Sequence, residues 1–89
     1  MAGDADPDVT RLREQLTGVD ERILEAVNAR IGLVAELKRV KEAKGIDFRD
    51  PGREEWLLAH LAELNRGPLS SEGLRALWTE LLALTKREV

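Results

Sequence analysis

The sequence predicts an all-α fold of three helices with a long first helix, and three observations carry that expectation. From Val9 to Lys44 apolar residues recur at alternating steps of four and three, the spacing of one helix face. Two later segments open on capping and turn residues, Asp50-Pro51 and Ser70-Ser71, and each continues as an apolar stripe at helical spacing. Aromatic residues are only 3% of the 89-residue chain and 35% of it is charged, a mixture that suits helical bundles; no run reads as a β-hairpin.

Residues 1–7 are expected to form a disordered tail and 8–89 the helical domain. Asp6 with Pro7 nevertheless makes a good N-cap and first-turn pair, so the first helix should begin there or by Asp8. Its seam is Leu12, Leu16, Val19, Ile23, Ala26, Arg30, Leu33, Leu37 and Val40. No Pro interrupts it, and Gly32 lies off it. At 1.5 Å per residue the helix would be ~50 Å long, too long for the rest of so short a chain to cover. A second copy is expected over part of the seam, which the small domain size independently favours. A flanking stripe of Leu24, Val27, Ile31 and Val34 implies burial of the helix centre on two sides, as in a bundle.

Lys44 and Gly45 end this helix with a cation and a residue tolerant of left-handed backbone. After a loop from Ile46 to Arg49, Asp50 caps a second helix with Pro51 at its first position, running to about Asn65. Leu57, Leu58, Leu61 and Leu64 form its stripe, and extending the stripe backward turns Glu54 inward. Asn65, Arg66, Gly67 and Pro68 turn the chain. Ser70 or Ser71 caps the third helix, with Leu69 as a staple. Its apolar side is Leu74, Leu77, Trp78, Leu81, Leu82 and Leu84, continued by Thr85.

The formal charge is −3, from 14 Lys plus Arg against 17 Asp plus Glu, which leaves no basic face broad enough for a nucleic acid. The chain has no Cys and one His, so neither a disulfide framework nor a metal site is expected. No stretch is long enough to span a membrane, and no signal-peptide core is present. A soluble cytoplasmic protein is the expectation.

Against this background a few charged residues stand out. Arg30 occupies a seam position, where an unpaired guanidinium costs several kcal/mol. It serves there either as a register-setting cation that snorkels outward or as an anion ligand. Eleven residues on, Lys41 returns to within ~20° of the same face on an ideal helix, ~16 Å along it, so the two long side chains could grip one small dianion. Arg13 is too far from Arg30 to join it within one chain; an antiparallel partner could deliver it. Arg53 lies in a first turn, where the helix dipole disfavours a cation, next to the inward Glu54. The pair reads equally as a solvated cation with a dipole-satisfying acid or as the mouth of a ligand site. Thr85 at such a position is more often a helix-surface hydroxyl than a ligand contact. Trp56, His60, Lys86 and Arg87 are assigned no chemistry. No nucleophile-base pair and no glycine-rich phosphate loop is present, so an enzyme built this way works by positioning and fixed charge.

Taken in order, Leu-Arg-Glu at 12 to 14, Val-Asp at 19 and 20, Ala-Arg at 29 and 30, Lys-x-x-Lys at 38 to 41 and Asp-Pro-Gly-Arg-Glu at 50 to 54 resemble the all-helical chorismate mutases of the AroQ class. The resemblance extends from about Leu12 to the C-terminus. It implies an intertwined homodimer with antiparallel first helices and two active sites, in which chorismate rearranges to prephenate without cofactor or covalent intermediate. By the same resemblance, Arg13 from the second copy and Arg30 would bind the two carboxylates, and Lys41 would donate to the ether oxygen. Arg53 would border the pocket, Glu54 with the Asp50 region would hold the ring hydroxyl, and Thr85 would lie near the ring carboxylate. The sequence departs from the family at Val89, where Gln or Glu commonly gives the ether oxygen a second partner. Weak activity, or dependence on a partner enzyme of the shikimate pathway that reorders the C-terminus, would follow. The resemblance also admits a 4-amino-4-deoxychorismate mutase, an isochorismate pyruvate lyase, or a non-catalytic regulatory module that dimerises beside a shikimate-pathway enzyme.

Overall fold

The computed structural model describes residues 6–89, and among these it contains three α-helices and no strand. They are α1 (Pro7–Ala43), α2 (Pro51–Leu64) and α3 (Ser71–Glu88). The expected tail falls mostly outside the described residues, and Pro7 is already helical. Asp6 Oδ1 accepts from the main-chain N–H of Asp8 at 2.8 Å and of Val9 at 3.2 Å, satisfying two donors that a helix start otherwise leaves open. Asp50 does the same for the Arg53 N–H at 3.0 Å, and Ser70 Oγ, rather than Ser71, for the Gly73 N–H at 2.9 Å.

The chain divides into two compact units, Met1–Gly32 and Leu33–Val89, with the boundary inside α1. In the first unit Val27, Arg30 and Ile31 are half-buried, whereas Leu12, Leu16, Val19, Ile23 and Leu24 are exposed. In the second, Leu33, Leu37 and Val40 are exposed and Val34 is half-buried. The large apolar seam residues keep 42% to 67% of their surface in solvent. Burial on two sides therefore does not arise within one chain. Of the two stripes only Arg30 on the seam and Val27, Ile31 and Val34 on the flank are partly covered, and Leu24 is exposed.

The core lies in the second unit, where Leu58 of α2 and Leu74 of α3 are 7% and 6% exposed and Thr85 is 1% exposed. Leu57, Leu61, Trp78, Leu81, Leu82 and Leu84 are half-buried around them. Leu64 and Leu77, which periodicity places in the stripes, are instead exposed, at the end of α2 and on the outer side of α3. Arg75 Nη2 and Glu55 Oε1 add an ion pair between the two helices at 3.1 Å, which at this exposure is worth at most about 1 kcal/mol. No helix among the described residues is long and apolar enough to cross a membrane.

The end of α1 is fixed by Gly45. Its φ is 68°, and this left-handed turn brings the Gly45 N–H to the Glu42 carbonyl at 3.2 Å and the Ile46 N–H to the Lys41 carbonyl at 2.8 Å. These are the two reversed bonds of a Schellman motif, which occupy carbonyls the helix leaves without partners. A Cβ at residue 45 meets no other atom within 4 Å, so the cost of adding one is purely conformational. Gly45→Ala should lower unfolding free energy by about 1–2 kcal/mol in denaturant titrations; a neutral result would mean that the turn re-forms without left-handed backbone.

Candidate active site

Two of the candidate residues lie in the first unit. Arg13 is on the exposed side of α1 and, with Thr10, Glu14 and Thr17, lines an open depression there. Arg30 is half-buried on the same helix, as a seam cation should be if it is to act in a partly dry environment.

The other six lie in the second unit, where each makes a contact of its own. Lys41 is half-buried in the last turn of α1, and its Nζ donates to the Phe48 carbonyl at 3.4 Å. That bond spans the loop whose first turn Gly45 sets. Asp50 is exposed and caps α2, accepting from Arg53 N–H through its side chain and from Glu54 N–H through its carbonyl at 3.2 Å. Arg53 places its guanidinium 4.1 Å from the centroid of the Trp56 ring, which in turn stacks on His60 at 4.7 Å. The cation–π contact offsets the unfavourable position of a cation at a helix start. Trp56 and His60, assigned nothing from sequence, thus hold Arg53 in place.

Glu54 is half-buried and pairs through Oε1 with Lys86 Nζ. Its inward placement follows the sequence reading, but its partner does not. Lys86 and Glu54 are far apart in the chain, and no spacing relates them. Arg87 pairs with Glu80 at 2.9 Å, also beyond the dipole role expected for it. Thr85 is fully buried rather than a surface hydroxyl, and its Oγ1 donates to the Leu81 carbonyl one turn back at 2.7 Å.

Val89 closes α3, its N–H donating to the Thr85 carbonyl at 3.2 Å. Its own main-chain oxygen accepts from Lys38 Nζ at 3.0 Å, and that ammonium lies 5.8 Å from the Phe48 ring centroid. Sequence alone marks Lys38 only as part of a motif. In the fold it ties the last turn of α3 to α1, one turn before Lys41.

The arrangement offers ammonium and guanidinium groups, one paired carboxylate and a buried hydroxyl, and no group of His, Asp and Glu among the described residues could hold a metal ion. Such a set can bind an anion and stabilise developing negative charge, but it contains no activated nucleophile. The family model for chorismate mutase type II matches residues 12–88. The chain belongs to the chorismate mutase type II family. A chorismate mutase from Thermus thermophilus has a similar structure in two forms. Form I gives a TM-score of 0.85 at 33% identity over 88% of this chain and 98% of that one. Form II gives 0.86 at 32% identity, over 90% and 91%. Among curated proteins, the bifunctional chorismate mutase/prephenate dehydratase of Stutzerimonas stutzeri is 38% identical over 81% of this chain, and that of Pseudomonas aeruginosa is 34% identical over the same share. The chain spans about a fifth of the length of these two relatives, 21% in each case.

The Lys38 contact is open to direct measurement. Lys38→Met should leave helix content unchanged while amide exchange at the end of α3, at Val89 above all, accelerates about fivefold, the worth of one hydrogen bond of ~1 kcal/mol. Unchanged protection there would show that the turn holds without Lys38.

Proposed function

We propose that the chain is a chorismate mutase, acting as an intertwined homodimer in the cytoplasm and supplying prephenate for phenylalanine and tyrosine biosynthesis. The observation that carries this reading is the family match over residues 12–88, a span that includes Arg13, Arg30, Lys41, Asp50, Arg53, Glu54 and Thr85. The exposed seam of α1 supports the dimer, since a second copy is the natural cover for a heptad face of this length.

In the reaction one C–O bond breaks as one C–C bond forms, within a single molecule and without net transfer of a proton or electron. The protein has to fold the substrate and answer the charge that shifts. Arg30 and, from across the dimer, the second copy's Arg13 bind the two carboxylates, which removes the rotational freedom that keeps the free substrate from its reactive conformation. Lys41 donates to the ether oxygen, whose charge is greater in the transition state than in the ground state, so the contact lowers the barrier. Glu54 accepts the ring hydroxyl, with Asp50 holding the first turn of α2. Arg53 borders the pocket and Thr85 lies near the ring carboxylate. Val89 brings no polar side chain to the ether oxygen, so Lys41 carries that role.

Prephenate formation by the purified chain, with and without the first enzyme of the shikimate pathway, tests the activity; none in either mixture would end the proposal. Lys41→Ala should lower kcat by about 10²–10³-fold with helix content intact, and near-normal turnover would remove Lys41 from the chemistry. Mixing inactive Arg13→Ala and Lys41→Ala chains should restore about a quarter of wild-type activity, because half the dimers are then mixed and each has one intact site. Absence of recovery despite demonstrated subunit exchange would place Arg13 outside the partner's site.

A further inference from the structure

The pairing of Glu54 with Lys86 bears on which ring substituent the site accepts. Both residues are on well-anchored helical turns of the same unit. Glu54 is in the first turn of α2, where its N–H meets the Asp50 carbonyl. Lys86 follows Thr85, whose side chain is buried and bonded to the Leu81 carbonyl within α3. The Glu54 side chain is 31% exposed and that of Lys86 51%, so the ion pair is partly screened but not lost in bulk water. The last turn of α3 also contains Arg87, so the helix dipole does not by itself require a second cation at Lys86.

We propose that Lys86 is a specificity-determining residue, neutralising Glu54 so that the site prefers a ring hydroxyl over a ring ammonium. The proposal rests on the chorismate mutase reading and deepens it. A carboxylate without a cation attracts an ammonium by a full charge–charge interaction and a hydroxyl only by a hydrogen bond. With Lys86 on Oε1, the second oxygen still accepts a hydroxyl hydrogen, but an approaching ammonium now meets a like charge close by. The hydroxyl carries no net charge and loses little. The pair therefore discriminates between two substituents of nearly equal size, which shape alone separates poorly.

The test compares chorismate with 4-amino-4-deoxychorismate in the wild type, Lys86→Gln and Lys86→Arg, as the ratio of kcat/KM values, or of inhibition constants where turnover is too slow. Lys86→Gln should move the ratio toward the amino compound by about three- to fivefold, the range a partly exposed ion pair supports, while Lys86→Arg keeps the wild-type ratio. A general loss of stability would lower both rates together and leave the ratio where it was. Lys86→Met, which retains the aliphatic stem, replaces Lys86→Gln if that variant loses helix content, with the same shift expected. A neutral variant that is active with an unchanged ratio overturns the role of Lys86 and leaves the mutase reading standing. A wild-type chain that neither converts nor binds either compound overturns that reading instead.

Discussion

A helix of 37 residues presents an apolar face that its own chain leaves in water. Among the described residues only Leu58 and Leu74 are buried apolar side chains, whereas Leu12, Leu16, Val19, Ile23, Leu33, Leu37 and Val40 are exposed along α1. Full burial of one such side chain is worth about 1.5–3 kcal/mol, so together they represent as much free energy as the whole net stability of a typical domain, about 5–15 kcal/mol. In the proposed dimer the surface that makes the protein stable and the surface that frames its site are the same. Arg30 is on that seam, so in the proposed dimer its setting depends on assembly.

The chain is acidic overall, so its anion-binding character is local and each cation needs its own support. Arg53 stands where a helix dipole opposes it and is held against Trp56, itself stacked on His60. Lys38 and Lys41 converge on Phe48, one over the ring and one at the carbonyl. These contacts orient the three cationic groups without pairing them to Asp or Glu side chains. Glu54 is different, being paired directly with Lys86. An acid that serves by accepting a hydrogen bond tolerates a neighbouring cation, because its acceptor strength survives the pairing.

Local chemistry was legible in the sequence. Asp6 with Pro7, Asp50 with Pro51, Ser70 and Gly45 announce helix ends through contacts spanning a few residues, and the structure places the ends within two residues of those signals. The inward side of Glu54 followed from periodicity alone. What could not be read were contacts that depend on how elements pack: Lys38 reaching Val89 across 51 positions, Lys86 meeting Glu54, and the burial of Thr85. Periodicity also assigned Leu64 and Leu77 to stripes that the single chain leaves uncovered. A stripe records which face is apolar, not which molecule covers it.

The Lys38 contact changes the meaning of Val89. Where a polar side chain is expected at this position, two costs of losing it come to mind: a hydrogen bond to the substrate and the order of the helix end. Lys38 separates the two effects, because it binds the main-chain oxygen of residue 89 and is indifferent to the side chain there. The Val89 N–H closes the final turn of α3 on the Thr85 carbonyl, also through the main chain alone. On the proposed mutase reading, the cost of Val89 then falls on charge stabilisation at the ether oxygen, a transition-state effect on kcat. On that reading substrate binding is spread over several cations, whereas rate is concentrated on Lys41.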